Sequence, residues 1–258
     1  MTLVKTKEKG ATLWYDSALL PVFEPRLFDL SWLQAQGHLT GTSAGRNQAW
    51  FLHYKGLDLV WRHFWRGGLV GRVNADLYLR RPPARSRAME EFVLLDWMRS
   101  QGLAVPRPVV ARYRPAGLFY RADLITERIP GSRTLAEQLR DKPLAPVLWQ
   151  EVGRVIARMH RLGVDHTDLN CRNILTDDQD QVWLIDFDKC RRREPGEWSA
   201  ENLARLHRSF EKEARKVPGL HWDANSWQAL RDGYETAPVR DQPSGGHAHR
   251  SAPEMESR

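Results

Sequence analysis

Between His166 and Lys189 the chain reads HTDLNCRNILTDDQDQVWLIDFDK, a stretch rich in side chains that handle phosphate, metal ions and protons. His166, Asp168, Leu169 and Asn173 stand at the spacing H-x-D-L-x-x-x-N, and Asp186 opens an Asp-Phe-Asp triplet after an apolar run. Phosphoryl transfer needs such a set. A carboxylate must orient the acceptor hydroxyl and take its proton, and Mg²⁺ must neutralise the phosphate oxygens. Asp168 is the candidate carboxylate, and Asn173 and Asp186 are the candidate Mg²⁺ ligands. A lone Asp in a loop is usually a cap or turn residue. Here the weight comes from the loop pattern, a hairpin of suitable length and an apolar strand ending in Asp, all in succession.

Two short strands, Asn173–Thr176 and Val182–Ile185, would present these loops, with residues 177–181 as their polar turn. Further back, residues 39–64 read as three successive strands. Gly41-x-x-x-Gly45 is the first turn, Ala49–Tyr54 a strand, Lys55-Gly56 a hairpin turn and Leu57–Phe64 the next strand. In a kinase a glycine-rich loop and a third-strand cation grip the nucleotide phosphates at this place. Gly41 and Gly45 are the loop candidates. Arg62, in Leu59-Val60-Trp61-Arg62, is the cation candidate, since a guanidinium can hold phosphate by two parallel hydrogen bonds. The competing reading is a surface Arg on an edge strand. Residues 87–101 form an amphipathic helix with Met89, Phe92, Leu95 and Met98 on one stripe. It carries Glu90 and Glu91, and Glu91 is the expected partner of Arg62. Strands enter at residues 103–111 and 119–129, and the backbone of Glu127 and Ile129 would meet the adenine edge. Helices follow at residues 134–140, 146–163, 197–216 and 223–234.

The expected fold is therefore α+β and two-lobed, a protein-kinase-like fold with an N-terminal antiparallel sheet lobe and a mainly helical C-terminal lobe. Residues 1–38 read as an N-terminal extension, with a short helix at 31–37 capped by Ser31. Residues 39–130 read as the nucleotide-side lobe, 131–235 as the lobe of the catalytic and metal loops, and 236–258 as a disordered tail poor in apolar residues.

The 258 residues suffice for two lobes with real cores, and 41% apolar with 28% charged content is ordinary for a globular protein. The net charge of +7 favours an anionic partner. The two cysteines, Cys171 and Cys190, read as reduced thiols. No secretory signal is visible, and no stretch approaches the ~20 apolar residues that span a bilayer. A protein that is soluble or lies on a membrane surface is expected. Trp61 and Trp65 sit among Arg62, His63, Arg66, Arg72, Arg80, Arg81, Arg85 and Arg87. This segment fits the interface of an anionic membrane. It equally fits a solvated basic face with Trp61 in a core strand. No helix-turn-helix, zinc or RNA-binding pattern accompanies the basic charge, so no nucleic-acid partner is expected.

HTDLNCRNIL, LIDFDKCRRR and Arg62 within LVWRHFWRGGLVGR together resemble the 3-deoxy-D-manno-octulosonic acid (Kdo) kinases of Gram-negative bacteria, over roughly Leu39 to Tyr234. The resemblance implies transfer of the γ-phosphate of ATP to the 4-hydroxyl of Kdo on a Kdo-lipid A precursor. It further implies a peripheral protein on the cytoplasmic side of the cell inner membrane, in contact with an anionic membrane surface. By position, Asp168 would be the base, Asn173 and Asp186 the Mg²⁺ ligands and Arg62 the phosphate grip. Asp188 replaces the Gly of Asp-Phe-Gly, Thr167 replaces the Arg of His-Arg-Asp, and no Ala-Pro-Glu follows. These departures point away from a protein substrate. A heptose kinase of the lipopolysaccharide core, or another sugar kinase of the same fold, shares every motif and is the first alternative. A catalytically silent nucleotide-binding module on the membrane surface is the second.

Overall fold

A computed structural model describes residues 1–43, 48–66 and 76–237 of the protein. Alternating apolar residues on either side of Lys55-Gly56 build a hairpin of β4 (Ala49–Tyr54) and β5 (Leu57–His63). Both turn residues have positive φ, 50° and 76°, the geometry that matches the twist of a two-residue hairpin. The same Lys-Gly pair recurs at Lys9-Gly10, with φ of 47° and 79°. It joins β1 (Leu3–Glu8) to β2 (Ala11–Asp16).

These strands enter one antiparallel eight-stranded sheet in the order β1-β2-β7-β8-β5-β4-β3, where β3 is Leu39–Thr42, β7 is Pro108–Ala116 and β8 is Phe119–Glu127, with β6 (Tyr78–Leu79) pairing β8. Residues 1–38 are thus not an appendage to the sheet lobe. Their first two strands extend its sheet, and the buried Asp16 carboxylate accepts from Thr2 N (3.0 Å), Ala18 N (3.1 Å) and Arg107 Nη2 (2.6 Å), tying β2 to the chain entering β7. The short helix α1 (Leu30–Ala35) is capped by Asp29, whose carboxylate accepts from Trp32 N at 3.1 Å, and not by Ser31.

Helix α2 (Arg87–Ser100) packs on β7 and β8 through Met89, Phe92, Leu95 and Met98, the expected stripe. The helical half comprises α3 (Leu135–Asp141), α4 (Pro146–Arg161), α5 (Trp198–Lys216) and α6 (Ala224–Glu235). A Thr134–Glu137 capping box starts α3. Helices α4 and α6 touch backbone to backbone. A Cβ at Gly153 would fall 2.0 Å from Leu230 O, and one at Gly233 2.0 Å from Gln150 O, so both positions need glycine. Strands β11 (Ile174–Thr176) and β12 (Val182–Leu184) form the expected hairpin, and β9 (Arg133–Thr134) pairs β11. β10 (Val164–Asp165), just before the first loop, pairs β13 (Arg191–Arg192), just after the second. No helix among the described residues is long and apolar enough to cross a membrane.

The Trp/Arg segment divides. Trp61 is 5% exposed, lies against Trp50 with ring centroids 4.3 Å apart, and donates to Asp123 Oδ1 at 3.1 Å. It is a core residue, which settles that position against membrane contact. Trp65 is 37% exposed and meets His63 edge-on. Asp123 is fully buried and also accepts from His63 Nδ1 and Arg112 Nε, each at 2.8 Å. Burial alone would raise its carboxyl pKa, but the His63 and Arg112 donors overcome this and hold it below the usual range. The stability it contributes is present above the unfolded value of 3.8 and is lost as pH falls through the lower folded value. Asp123→Ala leaves three donors, two of them on side chains able to carry charge, without their acceptor. It should cost about 3–5 kcal/mol in chemical denaturation at pH 7. It should also flatten the acid limb of the stability–pH curve.

Candidate functional site

The loop at residues 166–173 is held almost wholly by groups other than the Asp168 carboxylate. Asp165, ending β10, accepts from Asn202 Nδ2 (3.1 Å) and Arg193 Nη1 (3.0 Å), while Asn202 Oδ1 takes the His166 backbone N–H (3.0 Å). The His166 ring is buried. Its Nδ1 accepts from Asp168 N (3.3 Å), which leaves Nε2 to donate to Ile185 O (3.0 Å). Burial lowers the pKa of this ring and keeps it neutral, as that pair of bonds requires. One imidazole therefore fixes the loop of Asp168 to the strand end before Asp186, and Phe187 packs on it at 4.7 Å.

Asn173 strengthens the same junction. Its Nδ2 donates to Asp168 O (2.9 Å), and its own carbonyl accepts from Ile185 N (3.0 Å). Asn170 Nδ2 also reaches Asp168 O, at 2.8 Å. The Asp168 side chain is 63% exposed, with Arg205 Nη1 4.0 Å from its Oδ1. Asp186 has left-handed backbone, φ 64°, the kind of local strain that collects at functional sites.

Arg62 lies on the face of β5 that Val60 shares, and its fork divides between two acids. Nη1 donates to Asp186 Oδ1 and Nη2 to Glu91 Oε1. Glu91, on α2, is 3% exposed, and its Oε2 has no partner among the described residues. Burial pushes its carboxyl up to about 7 against the pull of Arg62. Burial also opposes the charge on Arg62, yet Glu91, Asp186 and Asp188 outweigh it and hold the guanidinium above its ordinary value. Glu90, the other candidate on the helix, is 53% exposed and sits 3.8 Å from Arg81. Asp188 is gripped from α2 by Arg87, through Nε at 2.7 Å and through Nη2.

Arg62, Arg87, Asp168, Asp186, Asp188 and Lys189 line one cleft of about 400 Å³. The structure thus gathers Asp168, Asp186 and Arg62, with Asn173 bonded beneath and Glu91 behind. It does not bring Gly41, Glu127 or Ile129 to the lining of this cleft. Gly41 lies in β3 beside a register shift, where a Cβ would stand 3.4 Å from Phe51 Cδ2, and Gly45 lies outside the described residues. Glu127 ends β8 opposite Leu59, three residues along β5 from Arg62, and its N–H donates to Arg107 O at 2.9 Å. Ile129 follows it, 8% exposed, with its carbonyl accepting from Ser132 Oγ at 2.9 Å. Among the described residues no group of three or more His, Cys, Asp and Glu side chains is placed to hold a metal ion. Sequence reasoning missed Arg87. The signal was Asp188 itself, since a second carboxylate beside Asp186 in a half-buried cleft needs a cation of its own.

The family profile described as "Lipopolysaccharide kinase (Kdo/WaaP) family" matches residues 30–234. The chain belongs to this family. It is similar to 3-deoxy-D-manno-octulosonic acid kinases along most of its length. That of Vibrio parahaemolyticus serotype O3:K6 is 42% identical over 226 residues, 88% of this chain and 94% of its own. That of Photobacterium profundum is 44% identical over 223 residues, 86% and 94% of the two chains. That of Pasteurella multocida is 40% identical over 215 residues, 81% and 89%. Membership implies ATP as phosphoryl donor.

Proposed function

We propose that the protein phosphorylates the 4-hydroxyl of Kdo on a Kdo-lipid A precursor, using ATP and Mg²⁺, as a peripheral protein on the cytoplasmic face of the inner membrane. The observation that carries this reading is the convergence of Asp168, Asp186 and Arg62 on one cleft in a chain 42% identical over 226 residues to a Kdo kinase. Asp168 projects into the cleft from a loop fixed by His166 and Asn173. Its carboxylate orients the acceptor hydroxyl and takes its proton as the hydroxyl oxygen bonds to the γ-phosphorus. The bond from that phosphorus to the β–γ bridging oxygen breaks, and ADP leaves. Arg62 holds phosphate oxygens, with Glu91 buried behind it to fix the fork.

Magnesium fits the donor set. Asn173 spends its Nδ2 on Asp168 O and keeps its amide oxygen, and Asp186 offers a carboxylate, both hard oxygen donors. With two protein ligands, phosphate and water would complete the shell; the ion supplies charge neutralisation at the transferring phosphoryl group. The net charge of +7 favours the anionic glycolipid and the membrane that carries it.

The test is purified protein with labelled ATP and Mg²⁺ against a Kdo-lipid A precursor and against a heptosylated acceptor in the same detergent. Label should enter the Kdo acceptor alone. Label in heptose, or nucleotide binding without transfer to any sugar, would overturn the reading.

A further inference from the structure

The mechanism above uses the nucleotide side of Asp168. Asp168 also lines a second pocket, of about 410 Å³, together with Arg172, Arg205, Arg208, Lys212 and Lys216. Four of these cations come from α5 at positions 205, 208, 212 and 216. That spacing places them on one face of the helix, and they run ~16 Å along it at 1.5 Å per residue. The pocket holds one other acid. Glu213 is 4% exposed and is occupied by Arg172 Nη2 at 2.8 Å and Lys216 Nζ at 3.1 Å. Arg208 and Lys212 have no acidic partner among the described residues. Arg205 stands at the head of the stripe, 50% exposed, with Nη1 4.0 Å from Asp168 Oδ1. A solvated helix face does not explain why the stripe ends on the catalytic carboxylate. A guanidinium placed there meets whatever is bonded next to the reacting hydroxyl.

We infer that Arg205 binds the carboxylate of the ulosonic acid acceptor and that Arg208 and Lys212 receive the anionic glycolipid beyond it, which makes this pocket the acceptor site. This rests on the functional reading above and adds to it the residue that selects the sugar. In a 3-deoxy-octulosonic acid the carboxyl carbon is three bonds from C4, within reach of a residue adjacent to the base. A neutral heptose has no carboxylate to pair with a guanidinium there. In the absence of acceptor, Asp168 supplies the negative charge that Arg205 faces. An arriving carboxylate takes over that role by a charge-assisted, two-pronged contact and leaves Asp168 free for the hydroxyl.

The experiment compares the Kdo-lipid A precursor with the same glycolipid methyl-esterified at the Kdo carboxyl, using wild type, Arg205→Gln and Arg205→Lys. Wild type should prefer the free acid by tenfold or more in kcat/KM. Arg205→Gln should raise the KM for the free acid about tenfold, leave the KM for ATP and the melting temperature unchanged, and use acid and ester alike. Arg205→Lys should restore part of the preference, because it keeps the charge without the fork. A second variant, Arg208→Glu/Lys212→Glu, should raise the KM for both acceptors and weaken its dependence on salt. Equal use of acid and ester by wild type, or a preference that survives in Arg205→Gln, overturns this inference and leaves the kinase reading standing. Failure of wild type to phosphorylate the free acid overturns both.

Discussion

Replacing Asp168 with Ala should lower kcat for phosphoryl transfer by roughly 10²–10⁴-fold, the range that loss of a positioned general base commonly gives. The KM for ATP and the folding stability should stay near their wild-type values. The separation follows from how the loop is built. Every bond that shapes it uses a group other than the Asp168 carboxylate. The His166 ring takes the Asp168 N–H, and Asn170 and Asn173 donate to its carbonyl. The side chain is 63% exposed, and the cation nearest it is half exposed at 4.0 Å, a pair that contributes little to folding. Steady-state kinetics with labelled ATP, beside thermal melting and nucleotide titration, check all three quantities. A kcat within fivefold of wild type would remove Asp168 from the chemistry.

That loop was also the most legible part of the chain. Its residue types are those that phosphoryl transfer calls for, and the hairpin that follows it has a polar turn between two short apolar strands. Arg62 was legible for a similar reason, since it falls on the cleft face of a strand bracketed by a clear Lys-Gly turn. Choosing Glu91 over Glu90 needed only the helical period, which turns one inward and the other to solvent. Other features were not legible because they depend on partners distant in sequence. Asp16 as the tie between β2 and the chain before β7 needs Arg107, 91 residues away. Asp123 as the common acceptor of Trp61, His63 and Arg112 appears only when three strands align. The N-terminal hairpin was overlooked although Lys9-Gly10 carries the same turn signal as Lys55-Gly56. β1 has no buried residue to reinforce the signal, as its side chains alternate between exposed and half-buried. The adenine contacts expected of Glu127 and Ile129 run through backbone, which leaves no trace in side-chain identity.

Arg62 should yield the second large effect, one in which stability and activity come apart. Arg62→Ala strands Glu91, which is 3% exposed, already has one oxygen without a partner, and has a carboxyl that burial pushes up to about 7. Removing the cation from such a pair typically costs about 3–5 kcal/mol. Transfer should fall by roughly 10²–10³, the loss seen when a preorganised donor to developing charge is deleted. The double variant Arg62→Met/Glu91→Leu removes both charges and replaces them with apolar side chains of similar reach. Because burying an ion pair costs about as much as its attraction returns, this variant should unfold within about 2 kcal/mol of wild type. It should nevertheless transfer no faster than Arg62→Ala, because the guanidinium at position 62 is missing from both. Arg62→Lys falls between them. Its ammonium keeps the charge beside Glu91 but cannot span Glu91 and Asp186 as the fork does. Urea denaturation and kinetics on the four proteins decide the matter. If the double variant recovered activity along with stability, Arg62 would be only a strut between α2 and the strand end at Asp186. If it recovered stability alone, the buried Glu91 would be there to aim a cation whose work is on the nucleotide.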